Sequence, residues 1–181
     1  MEGKIKYFET CGKENTEESL RIAKEYVDKN SIKKIVVAST TGYTAEIASK
    51  IFKPEMLAVV THVHGFREGN SAEFPENLRN TLESKGIKVI TSAHGFGGVN
   101  SLSKDSIGSI IANTLRTFSQ GMKVCMEIAS QAADSGIART DEDMIAIAGT
   151  GRGADTVMVI RPAISRKFFE CKVRKILAMP E

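Results

Sequence analysis

Within the stretches Lys34-Ile35-Val36-Val37-Ala38 and residues 56–63, apolar residues run without interruption from Ile35 to Ala38 and from Met56 to Val60. Runs of this kind mark strands covered on both faces, whereas half-buried strands alternate. Residues 87–91, 144–148 and 156–160 add three more strands, and residues 5–8 a short one. Between them the period lengthens. Leu20, Ala23 and Val27 form the buried stripe of a helix, with Asn15 as cap and Glu18 three residues on. Ile47, Ala48, Ile51 and Phe52 line a second helix that opens at Tyr43 and stops at Pro54. Pro75 opens a third, carrying Leu78 and Leu82 and ended by Gly86. Ile107, Ile110, Ile111, Thr114, Leu115 and Phe118 predict a fourth over residues 105–119, broken by Gly121. Residues 122–135 predict a fifth, closed by Gly136. The tail over residues 169–173 alternates like an edge strand.

Strand and helix alternate through the middle of the chain, which predicts right-handed crossovers and a parallel sheet. The gap between Ala148 and Thr156 is too short for a crossover helix, so those two strands should form an antiparallel hairpin. The 181 residues fit a single domain over 1–181, large enough to bury a core without disulfides or a structural metal. No repeat or linker is visible.

Composition narrows the classes. At 41% apolar residues, disorder is excluded. No apolar run reaches the length that spans a bilayer, and Met1-Glu2-Gly3-Lys4 lacks an apolar signal core. Cys11, Cys125 and Cys171 are odd in number and widely spaced, which predicts a reducing, cytoplasmic setting. The net charge of +3 is small and dispersed, so no nucleic-acid partner is expected. The densest basic group, Arg161, Arg166, Lys167, Lys172, Arg174 and Lys175, reads as the solvated face of a terminal strand. A homo-oligomer is compatible with the sequence.

Open parallel sheets bind ligands beyond the C-terminal ends of their strands. After residues 34–38 come Ser39, Thr40, Thr41, Gly42, Tyr43 and Thr44, leading directly into a helix. Four Ser/Thr hydroxyls and a glycine at a helix N-terminus, where free N–H groups and the helix dipole favour an anion, predict a phosphate site. Ordinary N-capping needs one hydroxyl. After residues 144–148 come Gly149, Thr150, Gly151, Arg152 and Gly153. A dinucleotide fingerprint needs a helix next, and here a strand follows. The segment reads either as a flexible hairpin tip or as an anion-binding nest clamped by Arg152. The chain's three histidines, His62, His64 and His94, all fall at strand ends and open long loops. Gly65, Phe66, Gly95 and Phe96 accompany them, and the two phenylalanines are candidates to cover a flat ring. Ligand orientation, proton transfer and polar capping of a strand all suit a neutral imidazole. Zinc is a weaker reading, because no HxxxH or HExxH spacing appears and no cysteine is near. Glu127, Gln131 and Asp134 share one side of the fifth helix and read as a solvated face, with a carboxylate on the ligand crevice as the alternative.

The stretch from Lys34 through Ser39-Thr40-Thr41-Gly42-Tyr43-Thr44 to Phe52-Lys53-Pro54 resembles the start of the pyruvate kinase C-terminal domain. With Gly65-Phe66-Arg67-Glu68-Gly69, Gly121-Met122-Lys123-Val124-Cys125-Met126-Glu127-Ile128 and Arg152-Gly153-Ala154-Asp155-Thr156, the chain resembles a stand-alone, largely archaeal and bacterial family with this fold but no kinase barrel. The resemblance implies a three-layer α/β/α sandwich, its core strands ordered 3-2-1-4-5, with the two ligand loops meeting at the switch point. It also implies flavin mononucleotide (FMN) as the leading ligand and cofactor and implies no catalysed reaction; if the protein is an enzyme, a flavin-dependent oxidoreductase is the first expectation. Kinase activity is not implied, because that active site lies in the missing barrel. The functions in play are an FMN-binding protein, a non-catalytic sensor of a phosphorylated metabolite, and a metal-assisted hydrolase.

Overall fold

The two continuous apolar runs become β2 (Ile35–Ala38) and β3 (Leu57–Thr61), central strands buried on both faces. Around them, in this computed structural model describing residues 3–181, the chain lays down β1 (Lys6–Phe8), α1 (Thr16–Lys29), α2 (Tyr43–Ile51), α3 (Glu76–Ser84), β4 (Lys88–Thr91), α4 (Ile107–Arg116), α5 (Gln120–Asp134), β5 (Met144–Ala148), β6 (Thr156–Arg161) and β7 (Lys172–Pro180). The strands form one sheet in the order β1-β7-β6-β5-β2-β3-β4. Its core segment β4-β3-β2-β5-β6 has the implied 3-2-1-4-5 order. β6 pairs antiparallel with both neighbours, and the remaining pairs are parallel. All strands but β6 therefore deliver their C-terminal ends to one edge.

Alternation along the strands divides the core into two layers. Ile35, Val37, Leu57, Val59, Ile145 and Ile147 face α1, α2 and α3. Val36, Ala58, Val60, Ala146, Met158 and Ile160 face α4 and α5. Leu20, Ile35, Ile145 and Ile147 are wholly buried. Each such side chain contributes roughly 1.5–3 kcal/mol by leaving water.

Four local expectations need correction. Asn15 does not cap α1: its backbone is helical, its side chain donates to the Thr10 carbonyl, and Glu18 pairs with Arg21 instead. Gly121 does not break the fourth helix. The break comes at residues 117–119, where Ser119 caps α5, and Gly121 lies inside the first turn of α5. A Cβ on Gly121 would overlap the Thr156 hydroxyl and lie 2.8 Å from Asp155 Oδ1, so the glycine is there for close packing onto β6. The terminal strand starts later than its alternation predicts, at Lys172. The preceding phenylalanines sit in the 3-10 turn Ser165–Glu170, with Phe168 against Phe96 at 5.0 Å between ring centroids. β7 is also the sheet edge for only part of its length, because β1 covers it from Ala178 to Pro180. Finally, the apolar spacing of α4 is wider than its buried face. Ala112 is buried, whereas Ile107, Ile110 and Phe118 are exposed.

Candidate functional site

At the C-terminal edge of the sheet a crevice of about 530 Å³ opens between the two helical layers. β2 and β5 are neighbours, so the loops that follow them meet there. Ser39, Thr40, Thr41, Tyr43 and Thr44 line one side, and Gly149, Gly151, Arg152 and Gly153 come from the adjacent hairpin.

The N-terminus of α2 is largely uncapped. Ser39 Oγ accepts the Ala45 N–H at 3.2 Å, while the N–H groups of residues 40–44 have no acceptor among the described residues. Gly42 supports this turn from behind. It takes a left-handed conformation (φ 91°) and leaves space for Leu78 of α3, which a Cβ would overlap. It does not line the crevice itself.

Asp155 shapes the glycine hairpin. This wholly buried carboxylate accepts the N–H groups of Thr150 and Gly12 on Oδ2, each at 2.9 Å, and the Thr156 hydroxyl on Oδ1 at 2.7 Å. The Thr150 N–H is thereby consumed, and Thr150 lies off the crevice. The neighbouring Cys125 is wholly buried, and burial followed by the Asp155 charge pushes its thiol well up, leaving it inert at neutral pH.

The far wall carries two of the three histidines. β3 ends at Thr61, so His62 and His64 do not share a strand face. His62 turns into the crevice, and His64 is exposed outside it. His94 approaches from the neighbouring strand end, its ring 5.0 Å from that of His62. Phe66 closes this cluster at 4.3 Å from His62 and 5.6 Å from His94. Gly65 and Gly95 form the turns behind it and do not line the crevice. His62 Nδ1 meets Glu73 Oε2 at 2.9 Å, and Arg67 Nε holds the other Glu73 oxygen at 2.9 Å. Burial pushes the His94 pKa down; Glu127 opposes that shift, and His62 and Lys123 add to it. His94 is therefore neutral at pH 7. The three histidines do not converge, and among the described residues no group of three or more metal-ligating side chains does either.

The floor belongs to α5, where the solvated-face expectation fails. Lys123 and Glu127 form a buried ion pair, their side chains only 8% and 5% exposed. Glu127 Oε1 also accepts the Phe96 N–H at 2.9 Å, and Gln131 donates to the Ala93 carbonyl at 2.9 Å. These two bonds pin the loop after β4 to the helix. Only Asp134 is exposed, and it accepts the Ser165 N–H. Glu73, Arg67, Arg116, Lys123 and Asp155 were not singled out from sequence. Lys123 and Glu127 left a usable signal: opposite charges four apart in an otherwise apolar helical stretch. Arg116 reaches the crevice with its guanidinium held by the side-chain oxygens of Gln120 and Asn113. The lining thus carries Arg67, Arg116, Lys123 and Arg152 against a single carboxylate, Glu127.

Residues 17–160 match the family described as pyruvate kinase, alpha/beta domain. The chain belongs to this family. The match enters in the first turn of α1 and leaves in β6, so it takes in all five core strands and every helix. In this pyruvate kinase α/β domain, β1 and β7 extend the sheet beyond the matched stretch. Among the described residues no helix is long and apolar enough to cross a membrane.

Proposed function

We propose that the crevice binds a phosphorylated small molecule, phosphate at the start of α2 and the remainder against His62, Phe66 and His94, with FMN as the leading candidate. The observation that carries this reading is the run of unpaired N–H groups at residues 40–44, set in a lining rich in cations. A phosphate there accepts several backbone hydrogen bonds at the positive end of a helix dipole. Arg152 supplies the charge-assisted contact from the hairpin. The remaining volume is of the size that takes a flat ring system, and the edge-on imidazoles offer polar partners beside the Phe66 face. FMN itself rests on the family resemblance. The free cysteines fit a reducing, cytoplasmic setting.

The test is to denature the purified protein and identify what it releases by mass spectrometry. A released flavin also absorbs at roughly 450 nm. Arg152→Ala should weaken binding of added FMN by roughly 1.5–3 kcal/mol, about 10- to 150-fold. A protein that releases no phosphorylated compound, and binds neither FMN nor inorganic phosphate when titrated, sinks the reading.

A further inference from the structure

His62 is built as a base, a property that phosphate binding does not use. A carboxylate only accepts hydrogen bonds, so the contact with Glu73 places the imidazole proton on Nδ1 and leaves the lone pair on Nε2. Glu73 is fixed in turn by Arg67 and is 13% exposed, so it cannot swing away cheaply. His94 stands beside His62 at 5.0 Å, its ring inclined by 62°. Because burial holds it neutral, its N–H can donate to a polar oxygen without carrying charge. Among the described residues no hydroxyl or thiol hydrogen-bonds either imidazole, which leaves both rings to proton transfer and not to the activation of a side-chain nucleophile.

We infer that the two histidines catalyse enolisation of a phosphorylated carbonyl compound held in the crevice, His62 taking the proton from the carbon beside the carbonyl and His94 hydrogen-bonding the carbonyl oxygen. This rests on the phosphate half of the reading above, with the carbonyl compound taking the place against His62 and His94 that FMN would otherwise fill. In the step the C–H bond breaks and its proton goes to His62 Nε2. The C–H electron pair becomes the new C=C bond, and the carbonyl π pair moves onto the oxygen that His94 holds. Glu73, a positioning residue, stabilises the imidazolium formed. Return of the proton to the same carbon completes exchange. Where that carbon carries a hydroxyl, passage of the hydroxyl proton to the oxygen beside His94 and return of the carbon proton to the former carbonyl carbon complete isomerisation, with no oxidant or reductant needed. Phe66 shields the pair from water on one side.

The full chain is incubated in D2O with dihydroxyacetone phosphate, ribulose 5-phosphate and fructose 6-phosphate. Proton NMR follows deuterium uptake beside the carbonyl, and phosphorus NMR follows binding. At least one probe should exchange in a protein-dependent way. His62→Gln should slow this about a hundredfold or more while binding persists. Glu73→Gln should slow it less and displace the pH–rate profile, which a purely structural strap would not do. Binding of the probes without exchange, or exchange that survives in His62→Gln, overturns the inference and leaves the phosphate reading standing. Failure of every probe to bind also overturns the inference, and inorganic phosphate and FMN titrated alongside show separately whether the phosphate reading stands.

Discussion

Glu127→Gln isolates the charge of the buried pair on α5 with almost no change of shape. The glutamine still offers Oε1 to the Phe96 N–H, so that hydrogen bond keeps an acceptor. What is lost is the counter-charge to Lys123, an ammonium whose side chain is 8% exposed. Breaking one side of a buried ion pair costs about 3–5 kcal/mol, because the remaining charge stays desolvated. For a chain of this size that lowers Tm by roughly 6–20 °C. Lys123→Met should cost a similar amount from the other side. The double variant, with both charges gone and the amide acceptor kept, should cost less than either single change. Urea unfolding of the four proteins gives the coupling energy directly, provided the m values agree. If Glu127→Gln lies within about 0.5 kcal/mol of the parent, or the two single effects simply add, crevice water is solvating the charges and the argument fails.

Two further predictions concern stability. An imidazole in the unfolded chain titrates near 6.5, whereas His94 in the fold titrates lower because of burial. The unfolded state therefore binds more protons in that interval, and His94 costs stability as pH falls below about 6.5. Unfolding free energies between pH 5 and 7.5 should be flatter for His94→Gln than for the parent, and equal slopes would refute this. Gly121→Ala should destabilise by about 1–3 kcal/mol through overpacking against Thr156, although alanine is the better helix former. A gain in urea resistance would show that the close approach is cheaply relaxed.

The core of the fold was legible because burial on two faces leaves continuous apolar runs that no solvated element shares. Residues 34–38 and 144–148 read as strands, and the gap of seven residues between Ala148 and Thr156 forced a hairpin. Strand ends then pointed to the edge at which the crevice opens, and the loops at Ser39 and Gly149 and the residues His62, Phe66, His94 and Phe96 all line it. What stayed hidden depends on contacts distant in sequence. Glu73 gains meaning only when the loop after β3 folds back onto His62, eleven residues away. Glu127 looks like a surface carboxylate until the loop after β4 covers it. His64 looked equivalent to His62 only while the strand was assumed to continue. The late start of β7 was masked by Phe169, an exposed side chain that sits beside Phe168 in the 3-10 turn and not on a strand face.

Asp155 accepts N–H groups from Thr150, five residues away, and from Gly12, 143 residues away. The hairpin that carries Arg152 therefore borrows its stiffness from the segment that follows β1. Fraying of β1 from β7 would withdraw one of the two N–H donors and loosen the crevice wall at the tip of the β5–β6 hairpin, two strands away from β1. Edge-strand opening and loss of the ligand wall then belong to one sub-global event. A ligand that engages the hairpin would, by reciprocity, slow the departure of a strand it never touches.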